Sequence, residues 1–169
     1  VDHGRLQHAL RAVLDEHPTL RTAFTIGVER NFDQDPRFGL AVMSEIASRA
    51  LSPATNDPGT AIDVIGRMTR LLARWAEGME PDPVDHPRIH VLALTEMDLF
   101  DDAFLLVARD GAGLVEVQLR LQKVLGALAN MGSDEFRKAA RHHAALAFQR
   151  SKAEMMFAPD LDMVRSEFD

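Results

Sequence analysis

Two Asp-Pro steps, Asp35-Pro36 and Asp57-Pro58, leave the middle of this chain little choice but helix. A carboxylate just before a helix accepts a hydrogen bond from an unpaired N–H of the first turn. Proline at the first helical position gives up only an N–H that had no partner. Behind the first step Leu40, Met43, Ala47 and Ala50 fall on one face; behind the second, Ile62, Ile65, Leu72 and Trp75 do. Pairs four residues apart, Glu45 with Arg49 and Asp63 with Arg67, suit the solvated faces. Helices over about 36–51 and 58–77 are predicted.

The same grammar extends along the chain. Leu6, Leu10, Val13 and Leu14 recur at helical spacing until His17-Pro18, where proline restricts its predecessor, so a first helix over about 3–16 is expected. Thr95 is placed to cap a helix carrying Met97, Phe100, Phe104 and Val107, which Gly111 and Gly113 stop. Leu114, Val117, Leu121, Val124, Leu125 and Leu128 then form the cleanest amphipathic stripe. Ser133 starts a long Ala-rich helix running to about Met156, and Ala158-Pro159-Asp160 opens a short terminal one. Thr22–Val28 and Arg88–Leu94 are richer in β-formers and read as two short strands, with the option of pairing. Pro81, Pro83 and Pro87, mixed with Asp82 and Asp85, form a hinge-like loop too short for a domain boundary. The expected fold is mainly α: one domain over 1–169, a bundle of six to seven helices with at most one short two-stranded ribbon.

Composition agrees and excludes several functions. With 169 residues the chain can bury a real core, and 46% hydrophobic but only 6% aromatic residues, with no Tyr, favour helix packing over an all-β sandwich. A net charge of −7 without a basic tract removes the main source of nucleic-acid affinity. No cysteine is present, so disulfides, thiolate metal sites and thiol nucleophiles are out, a pattern that suits a reducing compartment. The longest purely apolar stretch is Ala103–Ala108, far below the roughly 18 residues of a membrane helix. The chain opens at Val1 directly into amphipathic sequence, and this edge reads as a boundary left by processing or truncation.

Residues 30–61 carry a resemblance. The first part runs Arg30-Asn31-Phe32-Asp33-Gln34-Asp35-Pro36-Arg37-Phe38-Gly39, and the second Ile46-Ala47-Ser48-Arg49-Ala50-Leu51-Ser52-Pro53-Ala54-Thr55-Asn56-Asp57-Pro58-Gly59-Thr60-Ala61. This resembles the signature of bacterial predicted membrane proteins grouped as domain-of-unknown-function family 2254: an Arg-x-x-x-Gln-Asp-x-x-Phe-Gly block, then Ile-Ala-x-x-Ala-Leu-Ser-Pro-x-x-Asn-Asp-Pro-x-Thr-Ala. The specific match covers about a fifth of the chain. It implies membrane helices before this region, so that the chain would be a C-terminal soluble part; it implies no activity, because the family has none assigned.

The Ser52–Asp57 corner between the two Asp-Pro helices admits three readings. Ser52 and Asn56 can satisfy the last carbonyls of one helix while Asp57 caps the next, fixing the interhelical angle. Alternatively, the positive helix end near Gly59 and Thr60, with Arg30 or Arg49, can hold an anion, although Asp57 would place its own carboxylate there. The third is catalysis by Asp35, Asp57 or Ser52, alone or with a metal. The candidate ligand set is therefore Arg30, Asp35, Arg49, Ser52, Asn56, Asp57 and Thr60.

Other chemistry is weak. Ser52 lacks a nucleophile elbow, and Gly111-Ala112-Gly113 lacks a dinucleotide fingerprint. His142 and His143 diverge by about 100° on a helix, so one should face the core edge and the other water. His86 and His90 flank Pro87 in a loop. Met155, Met156 and Phe157 read as packing or as a sticky patch, and Trp75 as core. No metal or cofactor is implied. The leading expectation is a non-enzymatic interaction or regulatory domain, attached to the cell membrane through a preceding segment and facing the cytoplasm. Its partners would be the membrane region of the same protein or a second copy, and not nucleic acid. The alternative is a small-ligand or ion sensor with its pocket at Arg30, Asp35 and Ser52–Asp57.

Overall fold

In a computed structural model of the chain, residues 3–18, 32, 35–78, 90 and 92–168 are described. Seven helices occur among them: α1 (His3–Glu16), α2 (Pro36–Ala50), α3 (Pro58–Ala76), α4 (Glu96–Asp110), α5 (Val115–Leu128), α6 (Asp134–Glu154) and α7 (Ala158–Phe168). No strand occurs among the described residues. The first expected strand and the proline-rich loop lie outside them, and the described part of the second, His90 and Leu92–Leu94, has no regular structure.

Four helices, α2, α3, α4 and α6, begin at a side-chain cap. Asp35 accepts from Phe38 N at 2.9 Å and Ser133 from Phe136 N at 3.1 Å. Thr95 and Asp98 cap reciprocally: Thr95 Oγ1 accepts from Asp98 N at 3.2 Å, and Asp98 Oδ2 accepts from Thr95 N at 3.4 Å. Two N–H groups that a helix end would strand are thereby satisfied together. At the close of α4, Gly111 stops the helix, and its need for glycine is steric. A methyl there would stand 2.6 Å from Val117 Cγ1, so only glycine lets the start of α5 pack this tightly.

By its internal contacts the chain divides into two units, Val1–Asn31 with Pro81–Ala93 and Phe32–Glu80 with Leu94–Asp169. In the first, α1 exposes Ala9, Ala12 and Val13. The second is the helical bundle. There α4 packs on α2, α3 and α6, while α5 packs on α3, α6 and α7. Phe100 is the hub: its ring meets Phe136 edge-on at 4.9 Å and Phe104 at 5.8 Å, and all three are buried. Ile65, Met68, Leu72, Leu121, Leu125 and Leu128 close around them, joining the expected stripes of α3, α4 and α5 into one core.

Polar links tie α2 to α4 at both ends. Arg37 reaches Asp98 at 3.3 Å and also pairs with Asp102, and Ser48 Oγ donates to Asp110. Burial alone would raise the Asp110 carboxyl. Hydrogen bonds from Arg109 and Ser48 and the charges of Arg109 and Arg150 outweigh it, holding the group below its ordinary range. On the surface of α3, Asp63 and Arg67 pair at 2.8 Å as expected. The equivalent pair on α2, Glu45 with Arg49, is not closed. An exposed pair gains little against the entropy of holding two long side chains.

Candidate functional site

The α2–α3 corner is held by backbone hydrogen bonds and by short-range bonds among its own side chains. Leu51 N–H donates to Ala47 O at 3.0 Å, Ser52 N–H to Arg49 O at 3.2 Å and Asp57 N–H to Ala50 O at 2.8 Å, so three of the last four carbonyls of α2 are satisfied. Within the turn, Thr55 N and Asn56 N both donate to Ser52 O, and Ser52 Oγ donates to Thr55 Oγ1 at 3.2 Å. Asn56 adopts a left-handed backbone, φ 46°, which asparagine tolerates better than other side-chain-bearing residues. That twist swings the next N–H, of Asp57, back onto α2. The expectation that Asn56 itself serves an α2 carbonyl is corrected here: its contribution is conformational, and Asp57 N–H makes the bond.

Asp57 then caps α3. One carboxylate oxygen accepts from Thr60 N at 3.0 Å and the other from Thr60 Oγ1 at 2.6 Å. The Thr60 hydroxyl, then the Thr60 and Gly59 N–H groups, hold this exposed carboxyl below its usual range. It occupies the place a ligand anion would take at this helix end.

The structure does not gather the candidate residues into one site. Asp35 and the corner lie at opposite ends of the 15-residue α2, a rise of about 22 Å. Ser52, Asn56, Asp57 and Thr60 cluster at one end, Arg49 is exposed in the last turn of α2 beside them, and Arg30 lies outside the described residues. Asp35 caps its own helix. The arrangement is two helix starts and one hydrogen-bonded turn.

Two features were not legible as sites in the sequence. His143 on α6 is buried while its neighbour His142 is exposed, the split that helical geometry predicts. Its Nε2 lies 3.1 Å from Asp101 Oδ1 on α4, close but too poorly aligned for a hydrogen bond. Burial pushes its pKa down to about 4; Asp101 opposes the shift, while His142 and Arg150 add to it. Among the described residues no three His, Cys, Asp or Glu side chains come together as a metal-binding group.

The second feature is a pocket of about 370 Å³ built by α2, α3 and the first turn of α4. Leu40, Leu72 and Leu99 form a buried floor, while Phe32 and Leu71 stand exposed at its mouth. Trp75, expected in the core, is only partly buried and forms part of the wall. Arg74 is the one charged residue of the lining. Phe32 stacks on Phe38 with ring centres 5.0 Å apart. Elsewhere Met156 and Phe157 stand exposed in the α6–α7 turn.

Comparison with known proteins agrees with the signature at residues 30–61. The model of a family described as predicted membrane protein (DUF2254) matches residues 7–127. Uncharacterised proteins of Mycobacterium tuberculosis and Mycobacterium bovis are 49% identical to this chain over 63 residues. That match spans 37% of this chain and only 12% of the relatives' length. No solved structure matches.

Proposed function

Because the chain belongs to the DUF2254 family of predicted membrane proteins, we propose that it serves as a non-catalytic interaction and regulatory domain of a membrane-attached protein. In this reading the attachment lies elsewhere in the full-length protein, since among the described residues no helix is long and apolar enough to cross a membrane. The domain faces the cytoplasm, a placement that the cysteine-free composition favours. Its partner is the membrane region of the same protein or a second copy of this chain.

The observation that carries the reading is the use made of the family signature. Asp35, Asp57 and Thr60 are engaged at helix N-termini, and the N–H groups of Leu51, Ser52 and Asp57 satisfy α2 carbonyls. A signature used in this way builds a fixed angle between two helices, which suits a scaffold more than a reactive centre. Size-exclusion chromatography with light scattering, together with co-purification of the separately expressed membrane region, tests it. A stable dimer, or capture of the membrane region, is the expected result. A strict monomer at high concentration with no affinity for that region overturns it.

A further inference from the structure

We propose that the pocket between α2, α3 and the start of α4 binds a single-chain anionic amphiphile of the fatty-acid class, with its chain among Leu40, Met43, Leu72 and Trp75 and its carboxylate on Arg74. This goes beyond the interaction reading and stands on the pocket alone, so either can fail without the other.

Size is the first argument. About 370 Å³ is at the lower end of the roughly 300–1,000 Å³ over which small-molecule pockets fall, which suits one acyl chain rather than a two-chain lipid. Polarity is the second. Apart from Arg74 the lining is apolar, so it offers a polar ligand no compensation for lost water along most of its depth. Burial then grades the site from end to end: Leu72 and Leu99 are 1% exposed at the floor, whereas Leu71 is 53% and Phe32 62% exposed at the mouth. An amphiphile has the same gradient.

Charge supplies the third argument. Arg74 is exposed and has no acid or carbonyl partner among the described residues, whereas Arg37, Arg67 and Arg109 each hold an aspartate. A guanidinium beside an apolar pocket, with its two-pronged donor edge uncommitted, matches a carboxylate. The net charge of −7 gives the protein no general attraction for anions, so a carboxylate preference would report this local arginine. Space remains at the wall as well. A methyl placed on Gly39 would meet only the Phe32 ring, at 3.8 Å, so the pocket reaches the α2 backbone.

Trp75 is the only tryptophan of the chain, so its emission reports on this wall without labelling. Titration of the purified protein with dodecanoate below its micellar concentration should give a saturable blue shift with one ligand per chain. Decanoate should bind on the order of tenfold more weakly, from roughly fourfold per buried methylene. Dodecanol and dodecyltrimethylammonium should bind at least several-fold more weakly than dodecanoate. Arg74→Ala should bring dodecanoate down to the level of dodecanol, and Gly39→Leu should abolish the shift by filling the pocket. Should Gly39→Leu lose helicity, Leu71→Glu at the exposed mouth tests the same point by setting a like charge beside the carboxylate. The proposal is overturned by the absence of a saturable shift, by equal binding of dodecanoate and dodecanol to the parent protein, or by a folded Gly39→Leu or Leu71→Glu variant that binds like the parent.

Discussion

The α2–α3 corner and the α4–α5–α6 seam use polar residues in opposite ways. At the corner Thr55, Asn56 and Asp57 are exposed and Ser52 is half-buried, and the backbone N–H groups of Ser52 and Asp57 and the Asp57 carboxylate serve the ends of two helices. In the seam Gln118, Gln122 and His143 are buried, and each keeps one atom without a hydrogen bond: Oε1 of both glutamines and Nε2 of the histidine. Gln118 Nε2 donates to Gly111 O at 3.0 Å and Gln122 Nε2 to Ala144 O at 3.2 Å, so each amide is half satisfied. A polar group in water can lose a partner cheaply, whereas a buried one is left with its full desolvation penalty. The difference teaches that the signature marks geometry, while the energetic stakes lie in the seam.

The comparison breaks first if the seam is not the energetic centre. Phe100→Ala removes the ring shared by Phe104, Phe136 and His143 and should cost about 3–5 kcal/mol, read from urea unfolding. Next comes pH. His143 has a folded pKa of about 4 against an ordinary 6.5, so between these values the unfolded chain binds the extra proton. Stability should be full above about pH 6.5 and fall, by on the order of 3 kcal/mol in all, as the pH drops through 4. His143→Phe should flatten that part of the profile, measured as unfolding midpoint against pH. An unchanged slope would mean that other groups drive it.

At the corner the effects should be smaller. Asn56→Val puts a β-branched residue at φ 46° and should lose about 1–2 kcal/mol, whereas Asn56→Gly should be tolerated. Asp35→Ala removes the α2 cap and should lose about 1 kcal/mol, with Asp35→Ser recovering most of it; thermal melts of the three proteins decide this. The smallest change sharpens the contrast. Gln122→Met keeps the shape, removes the unsatisfied Oε1 and should stay within about 1 kcal/mol of the parent. A larger loss would show that the Ala144 bond matters more than the unpaired oxygen harms.

The helices were legible almost residue by residue. Expected spans of 3–16, 36–51 and 58–77 compare with His3–Glu16, Pro36–Ala50 and Pro58–Ala76. The Thr95 and Ser133 starts also fall where expected. The candidate site was less so. Asp35 and Asp57 both precede proline within one signature, yet the helix between them holds them apart. Gln118 and Gln122 lie beside Val117 and Leu121 on the cleanest apolar stripe, where periodicity registers burial but not satisfaction. The Glu45–Arg49 pair was legible as spacing and is not closed, since spacing permits an exposed pair without stabilising it much.

What the sequence determined alone was where helices start, stop and turn their apolar faces, because caps, prolines and a 3.6-residue period act between groups a few residues apart. Tertiary structure alone decided that Asp101 faces His143, that Gln122 reaches Ala144, and that residues as distant as Phe32 and Leu99 line one pocket. Those contacts depend on how helix faces settle against one another. Packing is a property of shapes meeting across the core, and no local pattern in one helix specifies the surface it will meet.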